Sequence, residues 1–350
     1  MLPLALTKAI GSKHVIQAPG VPRSSPLRLG MPGWSAVGSA LLLVSLTSVP
    51  VLSAQATPGT TRVFAPYVDM NRLSTSLAAL HAASGIGMFT LAFVVSGDGC
   101  MPAWGGNKPV SADSTIVADV AKLRRAGGDV MIAFGGYDGI DLGQSCADVS
   151  SLQAAYQAVI DKYQAKALDF DVEHVAIEDP VSIDRRSQAL KALAGANPGL
   201  QINYTLPATP AGLTDLSVNA IKSAVKYGTP VAVVNLMTMD YGSPVATGAM
   251  GPKAVAAASG ALCQLKSLGL DARVGITPMI GVNDTPGEIF TIEDAQVVVN
   301  YALASPNSVA LLAFWSVGRD NGSCSATVSP SCSGIAQKDW EFTRIFEKFQ

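Results

Sequence analysis

Ala167-Leu168-Asp169-Phe170-Asp171-Val172-Glu173-His174 is the stretch that decides the fold. Read as a β-strand, it alternates. Leu168, Phe170 and Val172 point one way, and Asp169, Asp171 and Glu173 point the other. Three carboxylates on one strand face are costly unless that face meets a polar, hydrogen-bonded interior or a site. The flanks are helical in pattern, over 148–166 before it and 180–194 after it. A strand between two helices is central and covered rather than an edge. The plain alternative is a half-solvated strand that carries acids for solubility. The preferred reading is an active-site strand with Glu173, at its C-terminal end, as proton donor.

Outward from this strand, apolar β-type runs alternate with helical patterns. Strands are expected over 63–69, 87–95, 129–134, 200–206, 231–239, 273–279 and 309–315, besides the acid strand. Helices are expected over 71–83, 114–126, 217–226, 254–268, 291–304 and 337–349. Ser150 with Gln153 reads as a capping box, Asp179-Pro180 as N-cap and first helical residue, and Thr291 with Asp294 as a further cap. Eight strand-helix units match a single (β/α)8 barrel in number and length. A doubly wound open sheet would show a Gly-rich nucleotide turn after its first strand, and Tyr67-Val68-Asp69 is not one. In a barrel, chemistry belongs at the C-terminal strand ends. Tyr67, Asp69, Gly135-Gly136-Tyr137-Asp138, Glu173, Asp240-Tyr241, Asn283-Asp284 and Trp315 all fall there.

Of the 350 residues, 49% are hydrophobic and 14% charged, enough for a sizeable core. The net charge of −2 offers no footprint for nucleic acid or acidic lipid. The segment 1–56 reads as a secretory signal with a long n-region. Lys8, Lys13, Arg23 and Arg28 precede an uncharged apolar run from Trp34 to Leu52, and Ala54-x-Ala56 fits a cleavage site. An uncleaved anchor is the alternative, since the run approaches a bilayer-spanning length. Residues 57–350 are then the catalytic domain, secreted, a monomer, and off the membrane once the signal is removed. Export permits disulfides. Cys100 with Cys146 and Cys324 with Cys332 are the expected pairs, leaving Cys263 as a buried free thiol. The cysteine spacings fit no zinc site, and only His81 and His174 follow the signal, so neither metal nor cofactor is expected.

Asp169-Phe170-Asp171-Val172-Glu173 resembles the DxDxE core of glycoside hydrolase family 18, the chitinase family. Phe134-Gly135-Gly136 resembles its SxGG element, Asn235 to Tyr241 its sixth-strand element, and Phe314-Trp315-Ser316 the strand end whose Trp floors the sugar site. Ile276 to Asp284 is similar to one bacterial and archaeal branch. The resemblance spans roughly residues 63 to 349, judged by pattern. Some positions depart from it. Lys166 and Ala167 stand where the family often has Asp and Gly, and Ala133 replaces the first Ser of SxGG. Met239 occupies the place of the family Tyr, so that contact falls to Tyr241, from a shifted position, or to another residue.

The resemblance implies a chitinase that hydrolyses β-1,4-linked N-acetylglucosamine polymers or oligomers. An endo-β-N-acetylglucosaminidase acting on glycans and a non-catalytic, lectin-like chitin binder are the alternatives. Asp171 and Glu173 sit about 7 Å apart on one face, at ~3.3 Å per residue, and cannot easily flank a sugar as nucleophile and acid. Substrate assistance by the acetamido group removes that difficulty, and family 18 is an exception of this kind. Glu173 would donate the proton, Asp171 would orient the acetamido group, and Asp169 would share a proton with Asp171. Asp240, Tyr241, Trp315, Tyr67, Met237 and Trp104 are the candidate substrate-binding residues. Trp104 is equally well an outer sugar subsite or a loop anchor, Met237 equally packing, and His174 is structural.

Overall fold

The computed structural model describes residues 62–242 and 248–350. The segment read as a secretory signal, 1–56, lies outside the described residues. Eight parallel strands form a closed barrel, each followed by a helix. The first strand is broken, and we take Val63–Phe64 with Tyr67–Asp69 as β1. The others are β2 (Met88–Ser96), β3 (Asp129–Gly135), β4 (Ala167–Asp171), β5 (Gln201–Thr209), β6 (Val231–Met237), β7 (Arg273–Thr277) and β8 (Val309–Leu312). The two pieces of β1 close the ring. Val63 and Phe64 pair with Leu311 and Leu312 of β8, while Tyr67 to Asp69 pair with Thr90 to Ala92 of β2.

The helices are α1 (Leu77–Ser84), α2 (Thr115–Arg125), α3 (Val149–Tyr163), α4 (Pro180–Ala196), α5 (Asp215–Tyr227), α6 (Met250–Ser267), α7 (Ile292–Ala304) and α8 (Glu341–Phe346). Asp179 accepts from Val181 N with Pro180 at the first position, and Thr291 with Asp294 forms a capping box, both as the residues suggest. The expected box at Ser150 and Gln153 sits elsewhere. Asp148 accepts from Ser151 N at 2.8 Å, and Ser151 Oγ accepts from Asp148 N. The last helix starts later than the pattern suggests, because the buried Asp320 carboxylate accepts from Phe342 N and Thr343 N. An acid from a distant loop supplies that cap.

The strand faces that meet the helices carry the core. Phe134, Phe170 and Tyr156 pack ring to ring between β3, β4 and α3. Inside the barrel, Ala65, Met131, Val233, Ala310 and Leu311 form an apolar plug. Toward the C-terminal ends the lining turns polar or small, with Tyr67, Ala92, Ala133 and Ala313 in one layer. The disulfides are Cys100–Cys146 and Cys324–Cys332, as expected. Cys263 is exposed, not buried. Helix α6 buries Ala254, Ala257, Ala258, Ala261 and Leu265, and position 263 falls outside that stripe. No helix among the described residues is long and apolar enough to cross a membrane.

Candidate active site

β4 ends at Asp171, and extended backbone carries the alternation on to Glu173, which caps a short helix, His174–Glu178. Asp169 and Asp171 are buried in the barrel mouth. Gly135 and Gly136 of the neighbouring strand end make the room. Gly136 N donates to Asp171 O at 3.0 Å, and a Cβ on Gly135 would stand 2.0 Å from that oxygen. With φ at +88°, only glycine suits position 135.

Both Asp169 oxygens are occupied. Thr205 Oγ1 donates to one at 2.7 Å, and the Tyr67 hydroxyl donates to the other at 2.7 Å. Asn235 Nδ2 donates to Thr205 at 3.0 Å and toward Tyr67 at 3.3 Å, and Thr277 Oγ1 donates to Asn235 at 2.9 Å. A polar girdle thus crosses the barrel through β1, β4, β5, β6 and β7. It explains how a barrel interior tolerates Asp169: each polar atom of the girdle finds a partner. Ala133 lies beside Asp169 in register and brings no hydroxyl, so Thr205 on the opposite flank supplies one. No hydrogen bond joins Asp169 to Asp171 among the described residues, and both Asp169 oxygens are held elsewhere.

Asp171 Oδ1, in contrast, is buried and has no hydrogen-bond partner among the described residues. Burial, then Glu173, then Asp169 push the Asp171 carboxyl well above the usual range. Burial raises Asp169 to about 6, against the lowering by Thr205 and Tyr67. Glu173 is raised to about 7 by burial first, then by the charges of Asp240 and Asp138. A carboxyl poised near neutrality on a half-buried side chain is suited to give and take a proton.

Trp315 is half-buried and stacks on Phe93, with ring centroids 5.6 Å apart and planes 14° from parallel. Tyr67 stands 6.1 Å from each of these rings. The peptide bonds Ala92–Phe93 and Trp315–Ser316 are both cis. The local sequence gives no role to Phe93 or Thr205, and marks Asn235 only as the start of the sixth-strand element. Phe93 hides in a uniformly apolar run, and Thr205 and Asn235 show their role only once the strands are in register. Asp240 reaches Glu173 electrostatically while its Oδ1 accepts from Thr285 N at 2.6 Å. Met237 is half-buried at the end of β6.

Two candidates stand apart from the acids. Trp104 is 1% exposed, and its indole N–H donates to the Tyr163 hydroxyl at 2.7 Å. It anchors its loop on α3 and presents no face to a sugar, which corrects its reading as a substrate-binding residue. The Tyr241 hydroxyl is buried with no hydrogen-bond partner among the described residues, and burial and then Glu288 raise its pKa. No hydrogen bond among the described residues takes it to the acid strand. His174 is exposed and stacks on Tyr137 at 4.4 Å, at the rim beside Glu173.

No family model matches the chain. It is 37% identical over 315 residues to the probable bifunctional chitinase/lysozyme of Escherichia coli (strain K12), covering 82% of this chain and 34% of that protein. It is 36% identical over 281 residues to endochitinase 11 of Metarhizium anisopliae, covering 74% of this chain and 52% of that protein. The chain therefore spans about a third to a half of the length of these relatives. Among solved structures, active domain 2 of the thermostable chitinase from Pyrococcus furiosus, in catalytic-site mutants complexed with chito-oligosaccharides, superposes with a TM-score of 0.74 at 36% identity. The match covers 82% of this chain and 94% of that one.

Proposed function

The chain belongs to glycoside hydrolase family 18, the chitinase family, and from that premise we propose that it hydrolyses β-1,4-linked N-acetylglucosamine polymers or oligomers with net retention. The observation that carries the proposal is the buried, unpartnered Asp171 Oδ1 beside a near-neutral Glu173. An acceptor left open at a buried position suits an incoming N–H donor, and the acetamido group of the substrate supplies one.

In the first step the acetamido carbonyl oxygen attacks the anomeric carbon. The bond to the leaving oxygen breaks, and Glu173 gives that oxygen its proton. Asp171 accepts from the acetamido N–H and balances the positive charge of the oxazolinium. In the second step the Glu173 carboxylate takes a proton from water. The hydroxide equivalent attacks the same carbon and reopens the ring. No second carboxylate is needed across the sugar, and Asp240 is already committed to Thr285. Asp169 stays fixed in the girdle, setting the charge felt by Asp171. Trp315 on Phe93 forms the floor.

Export through the 1–56 segment is part of the same reading, and the two disulfides support an oxidising compartment. The test is incubation with N-acetylated chito-oligosaccharides and, separately, with a high-mannose glycopeptide. Cleavage of the oligosaccharides is expected. Cleavage of the glycopeptide alone would assign the chain to endo-β-N-acetylglucosaminidases. Binding without cleavage of either would make it a lectin-like relative and reject the proposal.

A further inference from the structure

We propose that Glu288 is a positioning residue for the acid array: its buried carboxylate clamps the turn that holds Asp240 beside Glu173. The proposal rests on the hydrolase reading above.

Two loops meet at this point, one leaving β6 (238–242) and one following β7 (283–290). They exchange carboxylate-to-amide bonds. Glu288 Oε1 accepts from Gly242 N at 3.0 Å, and Asp240 Oδ1 accepts from Thr285 N at 2.6 Å. Glu288 is 0% exposed, and among the described residues its second oxygen has no hydrogen-bond partner. A buried acid with an unsatisfied oxygen is a costly choice for a loop that needed only a polar side chain. The cost is explicable if the loop must be held in one place.

The platform beneath Glu288 is rigid. Asn283 N donates to Glu288 O at 3.0 Å, and Glu288 N donates to Thr285 O at 3.1 Å. Gly281 and Val282 pair antiparallel with Phe290 and Ile289. The buried Arg319 guanidinium donates to Ile280 O and Val282 O. The turn it holds is strained, with Asp240 at φ 47°, a left-handed conformation that a non-glycine residue keeps only when its surroundings enforce it. Among charged neighbours, Asp240 and Asp138 raise Glu173, and Glu173 in turn raises Asp171. Asp284 and Arg319 act on Asp240, and Asp240 and Lys253 act on Glu288. Asp240 follows burial directly among the causes that raise Glu173. Fixing the turn therefore fixes how strongly the donor holds its proton.

The test compares wild type with Glu288→Ala, Glu288→Gln and Glu288→Asp, through the pH profile of kcat/KM on an N-acetylated chito-oligosaccharide and thermal unfolding. Glu288→Ala releases the turn. It should lower kcat/KM by about tenfold or more. It should also move the limb on which the donor loses its proton to lower pH, by about half a unit or more, as Asp240 draws away. Glu288→Gln keeps an acceptor for Gly242 N and should restore both. Should Glu288→Ala fail to fold, Glu288→Asp keeps the charge but withdraws the acceptor, and should shift the limb the same way. Folded variants whose limb stays at the wild-type position, whatever their melting temperatures, would overturn the clamp while leaving the hydrolase reading intact. A wild-type protein that cleaves no oligosaccharide would remove both.

Discussion

The proposed mechanism gives Asp171 and Glu173 separable tasks, and their substitutions should show it. Glu173→Gln keeps the shape and loses the proton, so kcat should fall on the order of 10²–10⁴-fold, with sugar binding largely kept. Asp171→Asn should also lower kcat, since the oxazolinium loses its counter-charge. An aryl glycoside, whose leaving group needs no protonation, should rescue Glu173→Gln more than Asp171→Asn. Equal rescue would reverse the two roles. The pH dependence has a definite sign. The donor is active when protonated, so kcat/KM should decline as pH rises through about 7. Stability moves the same way. A folded pKa above the unfolded value means that the native state holds the extra proton between the ordinary glutamate value of 4.5 and about 7, and stability is lost as pH rises across that window. Glu173→Gln should therefore stabilise the protein at pH 8, on the order of 2 kcal/mol given the partial exposure of the side chain, and little at pH 4. Chemical denaturation at the two pH values checks this. Equal effects at both would show that the Glu173 carboxyl is not raised by burial.

At the scale of elements, the acid strand depends on its neighbour. Gly135→Ala would drive a Cβ into Asp171 O and force a left-handed φ on alanine. A loss of about 2 kcal/mol or more in stability, with lowered kcat, is expected in unfolding and kinetic measurements. Unchanged kcat would mean that the β3–β4 contact does not hold the array. Trp104→Phe provides a contrast. It removes the indole N–H with its bond to Tyr163 and part of the buried ring volume, so stability should drop by about 2 kcal/mol or more while kcat/KM stays near wild type. Most of the barrel was legible in the sequence because period-2 and helical runs alternate so regularly, and the acid strand declared itself by carrying three carboxylates on one face. What escaped was long-range. Thr205 looks like an ordinary strand residue, and Asn235 like no more than the start of a motif, until register brings them to Asp169. Phe93 looks like core until Trp315 lies on it. Trp104 looks like a loop aromatic until α3 offers Tyr163. The Asp320 cap on α8 joins residues too far apart for a local pattern.

At the scale of the whole molecule, the barrel is closed by a broken first strand, and the loops above it are tied by disulfides. Cys100–Cys146 spans 46 residues and Cys324–Cys332 spans 8. In the chain-entropy account, removing the first by paired Ser substitution should cost about 4 kcal/mol and removing the second about 2.5 kcal/mol. Denaturant unfolding of the two variants tests that order, and a larger loss from the shorter loop would contradict it. The central proposal is net retention: the acetamido group of the sugar attacks the anomeric carbon, and water then enters from the face the leaving group left. The most direct measurement is proton NMR of the reducing-end product within the first moments of hydrolysis of an N-acetylated chito-oligosaccharide, before mutarotation. The account predicts the β-anomer in excess, relaxing later toward the equilibrium mixture. An initial excess of the α-anomer would contradict it, because water would then have displaced the leaving group in a single inverting step.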